Sequence, residues 1–232
     1  LIVIGGSYTG AEFACMYNIF GTKVTIVKRR PLRLEPVDEE IGRRFAQLLP
    51  KQGIDVIIGA PVKAIRESEE GLRVVWDTPE GEEKGVDGQM VLMATGRNPY
   101  TEGLGVKDLG LKMNGPAVVV NERLETSIED IYAIGDVLGR SMLAHVASYE
   151  GEVAVENALG HTREVDYRAI PSCVFVYPEV ACVGINEAQA RENSIPYKVS
   201  KFPFMANGRA VAMDEPTGMV KMICNAAPTP VT

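Results

Sequence analysis

The chain has 232 residues, of which 46% are hydrophobic and 24% are charged, and its formal net charge is −7. A chain of this kind is long enough for one or two globular domains with a sizeable core. The acidic balance, without a long basic run, excludes a typical nucleic-acid-binding protein. No apolar run approaches the roughly 20 residues that a membrane helix needs, so neither nucleic acid nor a membrane is expected as a partner.

The two ends of the chain are unlike those of a complete protein. Leu1 already lies inside a predicted strand, and residues 226–232 are small and rich in proline. We therefore expect the chain to be a piece of a longer protein.

Cysteine spacing carries information about redox chemistry and compartment. The chain has four cysteines, namely Cys15, Cys173, Cys182 and Cys224. None has the C-x-x-C or C-x-x-x-x-C spacing of a redox or zinc motif, so no metal site is predicted. Each lies in an apolar segment, which predicts buried structural thiols in a reducing cytoplasm.

The chain opens with a strand, a glycine-rich turn and a helix, the order that begins a dinucleotide-binding unit. Residues 1–4 read as a buried strand and residues 8–20 as the helix. Gly5 suits the tight turn, and Gly10 lets the helix lie close to the sheet. Ser7 replaces the middle glycine and narrows the phosphate site. The start of the helix offers unpaired N–H groups and a positive dipole end to a pyrophosphate.

A second strand, 23–27, is followed by a basic cluster of Lys28, Arg29, Arg30 and Arg33. An NAD site commonly has an acidic residue at this position, to accept a hydrogen bond from the ribose 2′-hydroxyl. The cluster here fits a 2′-phosphate, as an NADP site would require. The alternative interpretation is a solvated, charged loop.

The remaining elements follow in two groups. Up to residue 94 we predict a helix capped by Asp38 and shortened or kinked by Pro50, then a buried strand, an antiparallel meander and another buried strand: 39–52, 54–58, 62–65, 72–76, 84–86 and 90–94. Beyond residue 94 we predict two short strands (118–120 and 131–134), a helix (145–159) and two further strands (173–176 and 180–183). A short helix capped by Asn186 (186–193) and two last strands (197–204 and 219–224) complete the chain.

Four signatures occur in order along the chain: Gly5-Gly6-Ser7-Tyr8-Thr9-Gly10-Ala11-Glu12; Ala94-Thr95-Gly96-Arg97-Asn98-Pro99; Tyr132-Ala133-Ile134-Gly135-Asp136-Val137 with Leu143-Ala144-His145 beyond it; and Tyr177-Pro178-Glu179-Val180-Ala181 with Val183-Gly184. Together they resemble the FAD-dependent pyridine nucleotide–disulfide oxidoreductases over the whole chain. Residues 202–204 and 206–210 are especially similar to the dihydrolipoyl dehydrogenases of that family.

The resemblance implies an α/β fold in three parts. Residues 1–95 would form a Rossmann-like NAD(P)-binding domain with an antiparallel β-meander. Residues 96–165 would be the C-terminal lobe of an FAD domain. Residues 166–232 would be a truncated α+β dimer-interface domain.

The resemblance also implies roles for residues on the nicotinamide side. Tyr8 would cover the flavin and move to admit nicotinamide, although simple packing is the alternative. Glu12 would lie near the nicotinamide carboxamide, or else would need another polar partner if it is buried. Gly96 and Arg97 would approach the nucleotide from the strand ends, where ligands bind in open α/β sheets.

On the flavin side, the resemblance implies that Asp136, at a strand end after Gly135, accepts hydrogen bonds from the ribityl hydroxyls. A turn-forming aspartate is the alternative. The backbone at Leu143, Ala144 and His145 would open a helix and point N–H groups at the pyrimidine edge of the flavin.

No catalytic residue is predicted in this chain. The family's catalytic histidine lies shortly before a glutamate in the interface domain, and neither His145 nor His161 matches it. The family's redox cysteine pair belongs to an N-terminal flavin domain that this chain lacks.

The implied activity is that of a dihydrolipoyl dehydrogenase, which passes electrons from dihydrolipoamide through a disulfide and FAD to NAD(P)+. This chain would carry the nicotinamide side and be inactive alone. Its implied partners are a second copy of the full-length protein and the lipoyl protein of a 2-oxo acid dehydrogenase or glycine cleavage complex. Alternatives are another disulfide or flavin reductase (mercuric reductase, glutathione-type reductase or soluble transhydrogenase) and a non-catalytic nucleotide-binding module.

Overall fold

The computed structural model describes residues 1–32, 34 and 37–226, which fall into two compact units. One unit comprises residues 1–96 together with the segment from residue 173 onward, and the other comprises residues 97–172. Arg33 and the end of the chain, 227–232, lie outside the described residues. The division into nucleotide, flavin and interface domains stays a prediction.

The helices and strands follow one another in a mixed α/β order. Up to residue 96 they are β1 (Ile2–Ile4), α1 (Tyr8–Ile19), β2 (Val24–Lys28), α2 (Glu39–Leu48), a 3-10 turn (Pro50–Gln52), β3 (Ile54–Ile58), β4 (Val62–Ser68), β5 (Gly71–Asp77), β6 (Glu83–Gly88) and β7 (Val91–Met93). Beyond residue 96 they are β8 (Met113–Asn114), β9 (Ala117–Val118), a 3-10 turn (Gly135–Leu138), α3 (Ala144–Ala158), β10 (Ser172–Val174), β11 (Val180–Cys182), α4 (Glu187–Glu192), β12 (Tyr197–Pro203), a 3-10 turn (Phe204–Ala206), α5 (Gly208–Ala212) and β13 (Met219–Asn225).

A parallel sheet with the strand order β3-β2-β1-β7 organises the first unit. Successive side chains of a strand point to opposite faces. Val3 therefore packs with α1 and α2 on one face. Ile2 and Ile4 pack on the other face with Val74 and Trp76 of the meander β4-β5-β6. Because both faces are covered, the strand reads as an unbroken apolar run, and the predicted α/β fold with a meander is confirmed.

The second predicted helix is shorter than its sequence pattern. It was expected over 39–52, but α2 ends at Leu48 and Pro50 begins a separate 3-10 turn. Proline lacks the N–H that an α-helix needs at this point. The expected kink or shortening at Pro50 is confirmed, as is the cap, since the Asp38 side chain accepts a hydrogen bond from the Glu40 N–H at 3.0 Å.

In the second unit, the predicted strand over 131–134 is wrong. This segment makes a single isolated β-bridge, between Tyr132 and Glu125. Leu124 in the neighbouring segment has a φ of +67°, which is incompatible with extended pairing. The apolar core of this unit instead lies beneath α3 and includes Leu124, Leu138 and Val153.

All four cysteines are free thiols, but they are not all buried. Cys15 is buried in α1 as predicted, and Cys173 and Cys182 are half-buried. The expectation of burial is wrong for Cys224, which is exposed on β13. Within the described chain, β13 pairs only with β12, and much of this two-stranded sheet faces solvent. No helix in the described part of the chain is both long and apolar enough to cross a membrane.

Candidate nucleotide-binding sites

The glycine-rich segment after β1 has two positions where no side chain fits, Gly5 and Gly10. Gly5 has a φ of +105°, and a Cβ there would lie 2.1 Å from the Ala94 carbonyl oxygen. A Cβ on Gly10 would lie 2.4 Å from the Gly5 carbonyl oxygen. A Cβ on the buried Gly6 would lie 3.1 Å from the Leu32 side chain. The turn is therefore built for close backbone approach, for the reasons that the sequence predicts at Gly5 and Gly10.

The turn delivers the N-terminus of α1 to the carboxyl edge of the parallel sheet. Ser7 is the N-cap residue, and its hydroxyl makes no capping hydrogen bond. Ser7 and Thr9 are exposed, while Tyr8 is half-buried and packs against the core beneath α1. The first N–H groups of an α-helix have no partner within the helix. Together with the helix dipole, they make this edge suited to a phosphate group.

The basic cluster begins at the end of the neighbouring strand. Lys28 is the last residue of β2, and its Nζ lies 3.5 Å from the Gly6 carbonyl oxygen. Its ammonium group is thus held beside the glycine turn. Arg29 and Arg30 follow in an exposed bend, and Arg33 lies outside the described residues.

Glu12, which was expected near the nicotinamide, has a partner within the chain. Its Oε1 accepts a hydrogen bond from the Phe175 backbone N–H at 2.9 Å. This contact joins the second turn of α1 to the loop between β10 and β11. It meets the need for a polar partner that a partly buried carboxylate has.

The segment after β7 carries two further predicted residues, one in each unit. Gly96 has a φ of +132°, and a Cβ there would meet nothing within 4 Å. Arg97 belongs to the second unit, where its Nη2 lies 3.4 Å from Asp136 Oδ2. Because 69% of the Arg97 side chain and 46% of the Asp136 side chain are exposed, this ion pair contributes little to stability.

Gly135 and Asp136 form a tight turn rather than a strand end, which corrects the prediction. Ile134 is extended, but Gly135 has a φ of +72° and opens the 3-10 turn Gly135–Leu138. A Cβ on Gly135 would lie 3.1 Å from the Ala147 Cβ on α3. The turn is thus packed directly onto this helix, with the Asp136 side chain half-exposed.

The start of α3 lies where the sequence predicts a helix opening. Leu143 is the extended N-cap residue, and Ala144 and His145 are the first two helical residues. His145 Nε2 lies 2.7 Å from the Pro171 carbonyl oxygen. This contact holds the imidazole near residue 171 when Nε2 carries the proton.

Glu150 is a buried polar residue beside the Gly135 turn that the sequence reasoning missed. Only 1% of it is exposed, and its Oε2 accepts a hydrogen bond from the Gly135 N–H at 2.6 Å. Helical spacing could have predicted the burial of Glu150, because this residue shares a face of α3 with Val146 and Val153. Both valines are buried.

The predicted site residues thus fall into two groups. The first unit holds Gly5, Gly6, Ser7, Tyr8, Thr9, Gly10, Glu12, Lys28, Arg29 and Gly96, and the second holds Arg97, Gly135, Asp136, Leu143, Ala144 and His145.

Comparison with known protein families finds two matches. Residues 1–151 match the pyridine nucleotide-disulphide oxidoreductase family. Residues 170–231 match the dimerisation domain of pyridine nucleotide-disulphide oxidoreductases.

Among curated proteins, the chain is 41% identical over 224 residues to the dihydrolipoyl dehydrogenase of Geobacillus stearothermophilus. It is 38% identical over 224 residues to that of Staphylococcus aureus. These alignments cover 96% of this chain but only 47% and 48% of the two relatives. The chain therefore spans about half the length of the curated relatives that it matches.

Solved structures agree with this likeness. LpdA from Mycobacterium tuberculosis aligns with a TM-score of 0.86 and 28% identity, over 97% of this chain and 49% of that one. The HOCl-induced flavoprotein disulfide reductase RclA from Escherichia coli aligns with a TM-score of 0.84 and 34% identity, over 97% of this chain and 51% of that one.

Proposed function

The chain belongs to the pyridine nucleotide-disulphide oxidoreductase family, and from this premise we propose that it carries the nicotinamide side of a flavin-dependent dihydrolipoyl dehydrogenase. The observation that carries the proposal is the glycine turn at the carboxyl edge of the parallel sheet. A Cβ at Gly5 or Gly10 would lie within 2.4 Å of a backbone oxygen. Such a turn brings the backbone and the start of α1 close to a pyrophosphate.

The residues present fit a nicotinamide nucleotide. The N–H groups at the start of α1 would bind the pyrophosphate, and Gly96 leaves open space at the end of β7. Lys28 supplies a cation beside the turn. We infer that Lys28 and Arg29 receive the 2′-phosphate of NADP, because an anion there would meet two basic side chains.

The residues present also fit part of an FAD site. Asp136 offers carboxylate oxygens to ribityl hydroxyls, and Leu143, Ala144 and His145 offer backbone N–H groups at the start of α3. Developing negative charge on a bound flavin is stabilised by such N–H groups. The role of Tyr8 in covering the flavin stays a prediction.

In the proposed overall reaction, the two thiols of dihydrolipoamide are oxidised to a disulfide, NAD(P)+ gains a hydride and one proton goes to solvent. FAD and NAD(P), when bound, supply the electron and hydride chemistry. The chain's own residues bind and orient the two nucleotides. The cysteine pair and the base that the family uses would come from parts of the protein beyond this chain, so the chain alone would be inactive.

A second candidate is another disulfide reductase of the same family. The observation in its favour is the 34% identity to RclA, which is itself a disulfide reductase. The nicotinamide side would be the same in both cases, and the disulfide substrate would differ.

We further propose that the whole protein forms a homodimer, because residues 170–231 match the family's dimerisation domain. A lipoyl protein of a 2-oxo acid dehydrogenase or glycine cleavage complex is the proposed source of dihydrolipoamide. The four free thiols fit a reducing cytoplasm.

The nucleotide proposal is tested with Lys28→Glu. We expect NADPH affinity to fall at least about tenfold, since a hydrogen bond to a charged group contributes about 1.5–3 kcal/mol. NADH affinity should stay level or rise. The measurement is the titration of the purified chain with each reduced nucleotide, followed by fluorescence.

The matched control is Lys51→Glu, the same charge reversal at an exposed lysine in the 3-10 turn Pro50–Gln52. It should leave both affinities unchanged. Unchanged NADPH affinity in Lys28→Glu would refute the 2′-phosphate role. Failure of the unmodified chain to bind either nucleotide would refute the nicotinamide site.

The enzymatic proposal is tested by assaying the chain with dihydrolipoamide, FAD and NAD+. We expect no turnover from the chain alone. Turnover comparable to that of the longer relatives would contradict the view that this chain is only the nicotinamide side of the enzyme.

A further inference from the structure

Glu150 is a carboxyl residue that is buried in the second unit. It lies on the inner face of α3 and is 1% exposed. Burying a carboxylate is costly unless each oxygen is hydrogen-bonded. Both oxygens have donors here, since Oε2 accepts from the Gly135 N–H at 2.6 Å and Oε1 accepts from the Tyr167 hydroxyl at 2.7 Å.

The Tyr167 side of this network is itself held in place. Arg140 Nη1 donates to the Tyr167 hydroxyl oxygen at 3.1 Å, and the guanidinium lies 5.8 Å from the centre of the tyrosine ring. Arg140 Nη2 also donates to the Val120 carbonyl oxygen at 3.3 Å. Burial, followed by the hydrogen bond to Glu150, raises the pKa of Tyr167. The phenol therefore remains a donor, and one Glu150 oxygen is fixed.

The other oxygen of Glu150 accepts the hydrogen bond from Gly135, the first residue of the turn that contains Asp136. Gly135 has a φ of +72°, a left-handed backbone conformation that few residues other than glycine adopt, and it packs against Ala147. This conformation sets the direction of the Gly135 N–H. Asp136 follows directly, and its own ion pair with Arg97 is long and exposed. The firm anchor of this turn is the bond from Gly135 to Glu150, which is short and shielded from water.

We propose that Glu150 is a positioning residue of the flavin site, which holds the Gly135 N–H so that the turn presents Asp136 to the ribityl chain of FAD. The inference rests on the proposed function, because it assumes that Asp136 faces a flavin. Glu150 itself touches no cofactor in this proposal. The proposal requires the Glu150 acceptor oxygen to lie within hydrogen-bond distance of the Gly135 N–H, and it does not require that oxygen to be charged.

Two substitutions distinguish the position of the Glu150 acceptor oxygen from its charge. Glu150→Gln keeps a carbonyl oxygen at the same distance and removes the charge, and the Tyr167 hydroxyl can turn to accept from the new amide. Glu150→Asp keeps the charge but withdraws the carboxylate by one methylene. Glu152→Asp makes the same change on the exposed face of α3 and is the matched control.

The first readout is hydrogen exchange at the Gly135 amide, measured by NMR on the whole chain without flavin. We expect exchange to be at least about tenfold faster in Glu150→Asp, as loss of a strong hydrogen bond implies. It should be near the unmodified rate in Glu150→Gln and Glu152→Asp. An unmodified rate in Glu150→Asp would overturn the inference.

The second readout is FAD affinity, measured by quenching of FAD fluorescence. We expect affinity to weaken at least about tenfold in Glu150→Asp and to be restored in Glu150→Gln. Equal affinity in Glu150→Asp and the unmodified chain, despite faster Gly135 exchange, would also overturn the inference. If the unmodified chain does not quench FAD, the view that this part of the FAD site binds the cofactor without the rest of the protein is refuted, whereas the exchange rates still decide whether Glu150 holds the turn.

Discussion

At the scale of single residues, the nucleotide turn depends on the absence of two Cβ atoms. Gly10 lies in α1 with ordinary helical backbone, so its constraint comes from space rather than from φ. A Cβ there would lie 2.4 Å from the Gly5 carbonyl oxygen and 3.3 Å from the Ala94 Cβ. Because the nearest atom belongs to the backbone, it cannot rotate out of the way.

We predict that Gly10→Ala lowers the free energy of unfolding by about 1–3 kcal/mol, the usual cost of overpacking. It should also weaken nicotinamide nucleotide binding, since α1 must move away from the turn. Urea denaturation and nucleotide titration measure the two effects. Gly208→Ala in α5 is the control, because a Cβ there meets nothing within 4 Å. Equal stabilities of the two variants would contradict the close approach at Gly10.

At the scale of elements, Asn157 fastens the end of α3 to two loops. It is 8% exposed. Its Nδ2 donates to the carbonyl oxygens of Val153 at 2.9 Å and Arg163 at 2.8 Å, and its Oδ1 accepts from the Arg163 N–H at 2.9 Å. A further bond reaches the Arg123 carbonyl oxygen at 3.1 Å. The two N–H groups and the carbonyl oxygen of this side chain are thus shared among backbone groups from three places.

We predict that Asn157→Ala lowers the free energy of unfolding by about 1–3 kcal/mol, because buried backbone groups lose their partners. Asn193→Ala is the matched control at the end of α4. The Asn193 Nδ2 also donates to the carbonyl four residues earlier, at 2.8 Å from the Gln189 oxygen, but the residue is exposed. It should change stability by less than about 0.5 kcal/mol. Similar losses in urea denaturation would show that burial is not the cause.

Most elements could be predicted because their signals are local. The strand, the glycine turn and α1 are determined by a short apolar run and by positions where only glycine fits. The failure at 131–134 has a different origin. A strand also needs a neighbour that continues the ladder, and that neighbour turns at Leu124. Likewise, burial of Cys224 depends on what covers β13, which its own sequence does not encode.

The candidate sites divide in the same way. Gly5 and Gly10 could be predicted as positions of close backbone approach because glycine is the residue that has no Cβ. The hydrogen bond between Gly135 and Glu150 joins residues that are 15 positions apart and was not predicted. The burial of Glu150 could have been predicted, because helical spacing indicates which residues lie on the inner face of α3. The partners of Glu12 and Arg97 could not be predicted. Both depend on how segments far apart in sequence come together.

At the scale of the whole chain, a buried lysine joins the early residues to the last segment within the first unit. Lys221 on β13 has 5% of its side chain exposed. Its Nζ lies 2.8 Å from Asp38, 3.2 Å from Glu40 and 2.5 Å from Glu187. Lys201 adds a second cation, 2.7 Å from Glu40. Five charged groups therefore link the start of α2 to β12, β13 and α4.

We predict that Lys221→Met destabilises the chain at neutral pH by about 3 kcal/mol, because it leaves three poorly exposed carboxylates without their shared cation. Lys198→Met is the control, since Lys198 is an exposed lysine on β12. It should have an effect smaller than about 0.5 kcal/mol. Chemical denaturation at pH 7 measures both. A loss no larger than that of the control would show that the network is not a stabilising link.

The same network makes part of the chain's stability depend on pH in acid. The Lys201 hydrogen bond, assisted by Lys221, lowers the pKa of Glu40 from 4.5 to about 2, and Lys221 lowers the pKa values of Asp38 and Glu187 as well. A carboxyl group with a lowered pKa binds fewer protons when folded than when unfolded. Its contribution is therefore complete above pH 4.5 and declines as the pH falls toward 2.

In Lys221→Met the sign should change for Asp38 and Glu187, which lose their cation and gain stability when protonated. We therefore expect the stability difference between the unmodified chain and Lys221→Met to be largest above pH 4.5 and to shrink between pH 4.5 and 2. Denaturation curves across this window measure the difference. A gap that stays constant down to pH 2 would contradict the view that Lys221 stabilises the chain by pairing with these carboxylates.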